Sequence, residues 1–196
     1  TLYASLNQLD EDNGWIANGG LVIQVDCETL EVTDSWSAEP NPMIEVHPSQ
    51  PDSLLVRTGV YYEADGEVFT LNPTTGQTSE AHLSEADVGL DVSVVGSVSS
   101  GRAIALASSI DDWGATYSIL CGDLATGEWI EAETTSSFLI DLEVNDEGEA
   151  WIVARTSWVD SDTPGGILVY DVESCTSLTS DDWLNFSLDP YSVAFY

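Results

Sequence analysis

The amino-acid sequence predicts an all-β fold, a β-propeller of four four-stranded antiparallel blades. Three observations support this prediction. A motif of an apolar strand, an Asp or Asn, a short polar turn and a second strand occurs four times in the 196 residues. Short segments rich in β-branched residues alternate with Gly, Pro, Asn and Asp, and no long apolar stripe of helical period is present. The two ends of the chain match complementary parts of one repeat unit.

Four anchor residues define the repeat at intervals of 46, 51 and 48 positions: Asp26, Asn72, Asp123 and Asp171. An Asp or Asn side chain accepts hydrogen bonds from the backbone about two residues further on, and a Gly at positive φ then lets the chain reverse. The pattern Asp-x-x-Thr-Gly therefore predicts a tight hairpin. Leu30 and Cys175 replace the Gly in two copies, so we expect those two turns to differ.

Two more strands precede the hairpin in each complete copy. The set nearer the hairpin comprises residues 54–58, 103–108 and 151–156, and the set before it comprises 43–46, 92–95 and 139–144. Strands of this length, separated by turn residues, indicate an antiparallel meander. Residues 84–87 are the one segment for which the sequence favours a helical turn.

The ends of the chain predict how the fold closes. Residues 1–5 match the second strand of a unit, and residues 190–196 match a first strand. We therefore expect the N-terminal strands to pair with the C-terminal strand, which would remove two exposed sheet edges. The chain is then one propeller domain, 1–196, with blades at about 190–196 plus 1–36, 43–83, 90–134 and 138–180.

The repeat, with its strand, Asp-x-x-Thr-Gly and strand, resembles the blades of secreted YVTN and quinoprotein-like β-propellers. The resemblance covers nearly the whole chain, but its motif is specific to the fold and not to an activity. It implies an extracellular or cell-surface location. Relatives of this type commonly have more blades, so a fragment of a larger propeller sensor or adhesin is an alternative interpretation.

The charge balance restricts the partners. The chain has 35 Asp and Glu residues, three Arg residues and no Lys, which gives a formal net charge of −32. Such a field repels nucleic acid and anionic membrane surfaces and favours cations or a basic partner. The same charge also keeps a surface soluble, or suits a saline habitat in which salt screens the repulsion.

Other sequence features set further limits. No apolar stretch is long enough to span a membrane. Cys27, Cys121 and Cys175 are widely spaced, which disfavours a zinc site and leaves open either one disulfide or three free thiols. Asn185 begins a glycosylation sequon, which matters only in a secreted protein.

The connections from the second to the third strand of each blade are the predicted binding region, and we expect them to share one face. Each combines an aromatic residue with acids, and aromatic rings stack on sugars or cations. The candidate ligand-binding residues there are Trp15, Tyr61, Tyr62, Trp113 and Trp158. Clustered carboxylates suit Ca²⁺, so the candidate metal ligands are Asp10, Asp12, Asp111, Asp112, Asp160 and Asp162. The alternative is that the aromatic residues fill space between blades while the acids remain solvated.

Arg57 and Arg155 occupy matching positions in two blades and are also candidates for binding, of an anionic ligand. The competing interpretation is that each neutralises neighbouring acids. We predict no catalytic residue, because His47 and His82 have no evident partner in the sequence. The sequence therefore favours a non-enzymatic extracellular module for binding a ligand, with a protein or carbohydrate partner, or for self-assembly. A Ca²⁺-dependent hydrolase of the lactonase type is the alternative.

Overall fold

A computed structural model of the chain describes residues 1–10, 12, 16–61, 63–111, 114–156, 165–179, 183–186 and 190–195. The chain divides into two compact units, Thr1–Asp91 and Val92–Tyr196. All described sheets are antiparallel, and the helix that the structure describes is one turn long. The predicted all-β class with almost no helix is confirmed.

The first unit contains two sheets. Sheet 1 has the order β1-β2-β3, formed by Leu2–Asp10, Ile16–Val25 and Val32–Ala38. Sheet 2 has the order β4-β5-β6-β7, formed by Met43–Val46, Leu54–Arg57, Glu67–Asn72 and Gln77–Thr78. A short strand β8, Leu83–Ser84, also pairs with β6 and leads into helix α1, Glu85–Val88. The helical turn lies where the sequence predicts it.

The second unit contains two four-stranded sheets. Sheet 3 has the order β12-β11-β10-β9, formed by Glu128–Thr135, Gly114–Asp123, Arg102–Asp111 and Asp91–Ser97. Sheet 4 has the order β13-β14-β15-β16, formed by Phe138–Val144, Glu149–Arg155, Gly166–Asp171 and Thr176–Ser177. In the described part of the chain no helix is long and apolar enough to cross a membrane.

The repeated hairpins have the predicted hydrogen bonds. Asp26 Oδ1 accepts the backbone N–H groups of Glu28 and Thr29 at 2.7 and 3.0 Å. Asn72 and Asp123 accept the equivalent two N–H groups at 2.8–3.1 Å, and Asp171 Oδ1 accepts the hydroxyl of Ser174 at 2.6 Å and its N–H at 2.7 Å. The N–H groups of Thr29 and Glu28 lower the pKa of Asp26 below its ordinary value, and the hydroxyl and then the N–H of Ser174 lower the pKa of Asp171.

For the Leu30 turn, the expectation that it differs from the Gly-containing turns is wrong, and the Cys175 turn shares their φ while Asp171 also accepts the Ser174 hydroxyl. Leu30 and Cys175 adopt φ values of 59° and 56°, close to the 71° and 70° of Gly76 and Gly127. The N–H of Leu30 donates to the carbonyl of Asp26 at 2.8 Å, as the N–H of Gly76 donates to that of Asn72. The side-chain acceptor and this backbone bond hold the left-handed conformation even where the residue has a Cβ.

Each unit has its own apolar core between its two sheets. In the first unit Val22, Leu54, Val56 and Leu71 are at most 3% exposed. In the second unit the core includes large fully buried side chains from both sheets: Ile104, Leu106, Ile119, Ile152 and Leu168. Burial of each such side chain contributes about 1.5–3 kcal/mol to the hydrophobic stabilisation.

A disulfide joins the two sheets of the second unit. Cys121 lies near the end of β11, and Cys175 lies in the turn after β15, 54 residues further along the chain. Cys27 is an exposed free cysteine. Of the alternatives that the sequence leaves open, the structure therefore contains one disulfide and one thiol.

The predicted pairing of the two chain ends is not present in the described residues. Sheet 1 has three strands, and β1 has no neighbour on the side away from β2 within that part of the chain. Residues 190–195 form no strand; the N–H of Val193 donates to Asp141 Oδ2 at 2.9 Å, and the ring of Phe195 packs edge-on against Trp151. The backbone N–H of Val193 therefore donates to the Asp141 side chain and not to the backbone of a neighbouring β-strand.

The edge strand β1 differs in charge from the other edge strands. Before Asp10 it carries no ionisable group except the Tyr3 hydroxyl. Each other described edge strand longer than two residues carries at least one Asp or Glu: β3, β4, β9, β12 and β13.

Candidate functional site

The long loops that connect second to third strands contain most of the predicted binding residues. Several of these residues lie outside the described part of the chain: Trp15, Tyr62, Trp113, Trp158, Asp112, Asp160 and Asp162. Asp111 is the last residue of β10. The predicted residues whose surroundings the structure describes are Asp10, Asp12, Arg57, Tyr61 and Arg155.

Asp10 organises the start of the first long loop. Its Oδ1 accepts the backbone N–H of Asp12 at 3.0 Å, and its Oδ2 accepts Nδ2 of Asn18 at 3.0 Å. Carboxylate oxygens of this kind are the ligands that Ca²⁺ prefers in proteins. In the described residues, however, no group of three or more His, Cys, Asp or Glu side chains could hold a metal ion.

The second long loop, residues 58–66, is held by hydrogen bonds from several elements. Asp65 Oδ1 accepts the N–H of Val60 at 2.9 Å, which closes the loop on itself. The N–H of Gly59 donates to the carbonyl of Pro40 at 2.9 Å, and Asn41 Nδ2 donates to the carbonyl of Gly59 at 2.9 Å. The segment before β4 therefore fixes one side of the loop.

The buried carboxylate of Glu85 fixes the other side. Glu85 begins α1, is 1% exposed, and accepts the N–H of Gly66 through Oε2 at 2.7 Å. Its own N–H donates to the carbonyl of Gly66 at 2.9 Å. A Cβ at Gly66 would lie 2.0 Å from the carbonyl oxygen of Thr58 and 2.8 Å from Glu85, so only Gly fits this close approach.

Arg57 ends β5 beneath this loop and is only 4% exposed. Its Nη1 donates to Met43 Sδ at 3.5 Å, and its Nη2 lies 3.7 Å from Asp91 Oδ1. Neither Nε nor Nη2 has a hydrogen-bond acceptor among the described residues. The position of Asp91 fits the interpretation that Arg57 neutralises a neighbouring acid, and the burial of Arg57 keeps its guanidinium from direct contact with a dissolved ligand.

Tyr61 is the exposed element of this arrangement. The guanidinium carbon of Arg57 lies 5.7 Å from the centre of the Tyr61 ring, in the range of a cation–π contact. The side chain of Tyr61 is 55% exposed. The loop therefore presents an aromatic ring to solvent while a buried cation and a hydrogen-bonded backbone support the residue from below.

Arg155 occupies the equivalent end of β14 in the second unit, opposite Phe138 of β13. It is partly exposed, and no acid lies within ion-pair distance among the residues that the structure describes. The two Arg residues are thus equivalent in position and different in surroundings.

The structure also places groups together that the sequence does not predict. Glu85 and Asp65 both hold the second loop through hydrogen bonds. Asp65 is adjacent to Gly66 in the sequence, but Glu85 lies 19 residues away, so sequence spacing does not associate Glu85 with this loop. His82 Nε2 lies 2.8 Å from Thr70 Oγ1 and 3.2 Å from Ser79 Oγ. Ser79 donates its proton to the carbonyl of Glu80 at 2.6 Å, which directs the hydroxyl towards the backbone and not towards the imidazole.

No protein-family model and no curated protein matches the sequence. Among solved structures, hydrazine synthase of Kuenenia stuttgartiensis matches with a TM-score of 0.55 and 12% identity, over 93% of this chain and 53% of that chain. An uncharacterised protein of Listeria monocytogenes EGD-e matches with a TM-score of 0.47 and 15% identity, over 77% and 42% of the two chains. The acylaminoacyl peptidase of Pyrococcus horikoshii matches with a TM-score of 0.39 and 11% identity, over 86% and 34%.

The last two likenesses are too distant to carry an argument. The chain spans about half the length of the hydrazine synthase chain that it matches. At this identity the likeness concerns the fold alone and not the activity. Together with the four antiparallel meanders, it indicates that this chain has a propeller-like fold.

Proposed function

We propose that this chain is an extracellular β-propeller module whose long loops bind a ligand or other proteins. The proposed role is binding and not catalysis. The observation that carries the proposal is the exposed ring of Tyr61 on a loop held by the buried groups Arg57 and Glu85. An aromatic ring on a rigid support loses little conformational entropy when it binds, which makes it an efficient contact residue.

Two further features support an extracellular binding role. The disulfide between Cys121 and Cys175 is of the kind that persists in oxidising compartments. The net charge of −32 makes copies of the chain repel one another unless cations lie between them. We therefore propose assembly through divalent cations such as Ca²⁺, which oxygen ligands of the kind supplied by Asp10 and Asp12 would hold.

Sedimentation velocity tests this function. We expect CaCl₂ to shift the chain from monomer to larger species, whereas NaCl of the same ionic strength does not. Tyr61→Ala removes the supported ring and should reduce this association, while Tyr191→Ala, which truncates a 78% exposed ring elsewhere, should not. A chain that stays monomeric in both salts, or a Tyr61→Ala variant that associates like the parent, contradicts the proposal.

We also propose that the propeller is closed by residues 190–195 pairing beside β1. The free side of β1 and the match of this segment to first strands support the proposal. In a Cys27→Ser background, the pair Ala4→Cys and Ser192→Cys should oxidise within one chain. The pair Ala4→Cys and Ser177→Cys is the control. Equal cross-linking of both pairs, or bonds between chains only, rules out closure.

A further inference from the structure

The first unit contains a cleft that belongs to none of the long loops. It lies between β2–β3 of sheet 1 and β5–β7 of sheet 2 and has a volume of about 290 Å³. Val56 and Leu71, which are at most 2% exposed, form its floor. The cleft therefore opens from the packed core of the first unit. Its volume is at the low end of the range for small-molecule binding sites.

Two aromatic residues line the cleft, and one of them is fixed in place. Trp36 is a partly exposed residue of β3, and Phe69 is a partly exposed residue of β6. A Cβ at Gly76 would lie 3.2 Å from Trp36 Nε1 and 3.3 Å from Cδ1, so the indole edge lies directly on this turn. The φ of +71° at Gly76 also favours Gly. The turn thus holds the indole ring at the mouth of the cleft.

The cleft offers few hydrogen-bonding side chains. None of the described residues that line it is ionisable, in a chain where 38 of 196 residues are charged. Ser35, Ser37 and Thr78 are the hydroxyl-bearing residues that line the cleft, and the other lining residues are apolar, aromatic or Gly. No described lining residue offers a carboxylate that could pair with a charged N–H group of a ligand.

The charge of the whole chain decides the sign of the ligand. A net charge of −32 repels anions and concentrates cations at the surface. A primary ammonium or a guanidinium in this cleft would lose hydrogen bonds to water, and no described lining residue supplies a carboxylate to compensate for them. A quaternary ammonium group has no N–H donor to leave unsatisfied, and the face of a Trp ring attracts it by the cation–π interaction.

We propose that this cleft binds quaternary ammonium groups, with Trp36 as the principal contact and Phe69 and the floor as an apolar surround. The site is independent of the long loops proposed above for assembly. Loss of ligand binding and loss of Ca²⁺-dependent association are therefore separate results.

The test uses choline, tetramethylammonium and the neutral choline isostere 3,3-dimethylbutan-1-ol, with binding followed by calorimetry and by ligand-observed proton NMR at constant ionic strength. We expect both cations to bind, and the neutral isostere to bind about tenfold more weakly because it lacks the cation–π attraction. Raising NaCl should weaken choline binding and leave the isostere unchanged. Equal binding of choline and the isostere overturns the proposal, as does an absence of choline binding.

Variants locate the site. Trp36→Leu should weaken choline binding by about tenfold or more. Thr78→Leu fills the cleft while it keeps the indole, and it should also abolish choline binding. It provides the test of the site if Trp36→Leu does not fold. Trp129→Leu is the matched control, because Trp129 is a partly exposed residue of the edge strand β12 that lies over Gly122. Choline binding that survives both cleft variants, or that is lost equally in the control, excludes this cleft.

Discussion

Single residues show which local rules the sequence obeys. The four anchors accept backbone N–H groups as an Asx turn requires, and this could be predicted because donor and acceptor are two or three residues apart. The positive φ of Leu30 and Cys175 was not predictable from the sequence, because residues other than Gly rarely adopt positive φ. Both residues take the left-handed conformation because the surrounding hydrogen bonds outweigh the steric cost of a Cβ.

Leu30→Gly should stabilise the first unit. Leu30 is 79% exposed, so little packing is lost, and Gly removes a left-handed strain of about 1 kcal/mol. Urea unfolding measures the gain in the free energy of unfolding. Gly127→Ala introduces a Cβ at an equivalent φ and should lower that free energy by a similar amount. A destabilised Leu30→Gly variant would show that the Leu side chain contributes more than its exposure indicates.

His47 should make stability depend on pH. It is 3% exposed, and its Nδ1 accepts the N–H of Ser49 at 3.3 Å. Burial, with repulsion from His82 second, lowers the pKa of His47 below its ordinary value of 6.5. Protons then bind the unfolded chain more readily, so this contribution to stability is complete above pH 6.5 and is lost as the pH falls below it.

The free energy of unfolding of the parent and of His47→Gln, measured between neutral pH and the onset of carboxylate titration, isolates this effect. The parent should lose stability over this range, and the variant should lose less. Parallel curves for the two proteins would show that His47 does not cause the dependence.

At the scale of elements, strands and hairpins were predictable because their signals lie within a few residues. The loop supports were not, because they join residues that are distant in sequence. Glu85 reaches Gly66 across 19 residues, and Arg57 reaches Asp91 across 34 (91 minus 57). The short helix α1 was predicted as a turn, but its role in presenting a buried carboxylate becomes evident only from the packing.

Glu85→Ala should destabilise the second loop and the first unit. It leaves the buried N–H of Gly66 without its acceptor, which costs about 1–3 kcal/mol. Glu85→Gln keeps an oxygen acceptor at the same distance from the backbone and should cost less. Urea unfolding compares the two variants, and equal losses would indicate that the charge, and not the hydrogen bond, stabilises this loop.

The disulfide should stabilise the second unit strongly. Closing a loop of 54 residues restricts the unfolded chain by about 4 kcal/mol in the chain-entropy model. Cys121→Ala with Cys175→Ala should therefore lower the thermal midpoint, and dithiothreitol should lower that of the parent comparably. Cys27→Ala, at the exposed thiol, is the control and should behave as the parent does. An unchanged midpoint in the double variant contradicts the prediction.

For the whole molecule, the all-β class and the four successive antiparallel sheets followed from the repeat, whereas closure did not. The repeat predicts the strands that form each sheet, but the pairing of residues 190–195 with β1 depends on contacts between the chain ends. In the structure that segment instead contacts Asp141 and Trp151. The candidate binding residues were predicted as a set of loops, and of these the structure describes chiefly the loop around Tyr61.

The net charge of −32 should make the fold respond to salt. The screening length falls from about 10 Å at 0.1 M to about 3 Å at 1 M, so repulsion between acids across the surface weakens. The thermal midpoint should rise over this range, and NaCl and KCl should act alike if screening is the cause. A midpoint that is flat in both salts would mean that the acids are already well separated.

The long edge strand β1 has a consequence for handling the protein. Acids on the other edges keep a neighbouring chain from adding a strand to them, since like charges would meet there, but eight residues of β1 offer bare backbone without that protection. Wherever this edge is left uncovered and salt screens the repulsion between chains, we expect a second chain to add a strand here first.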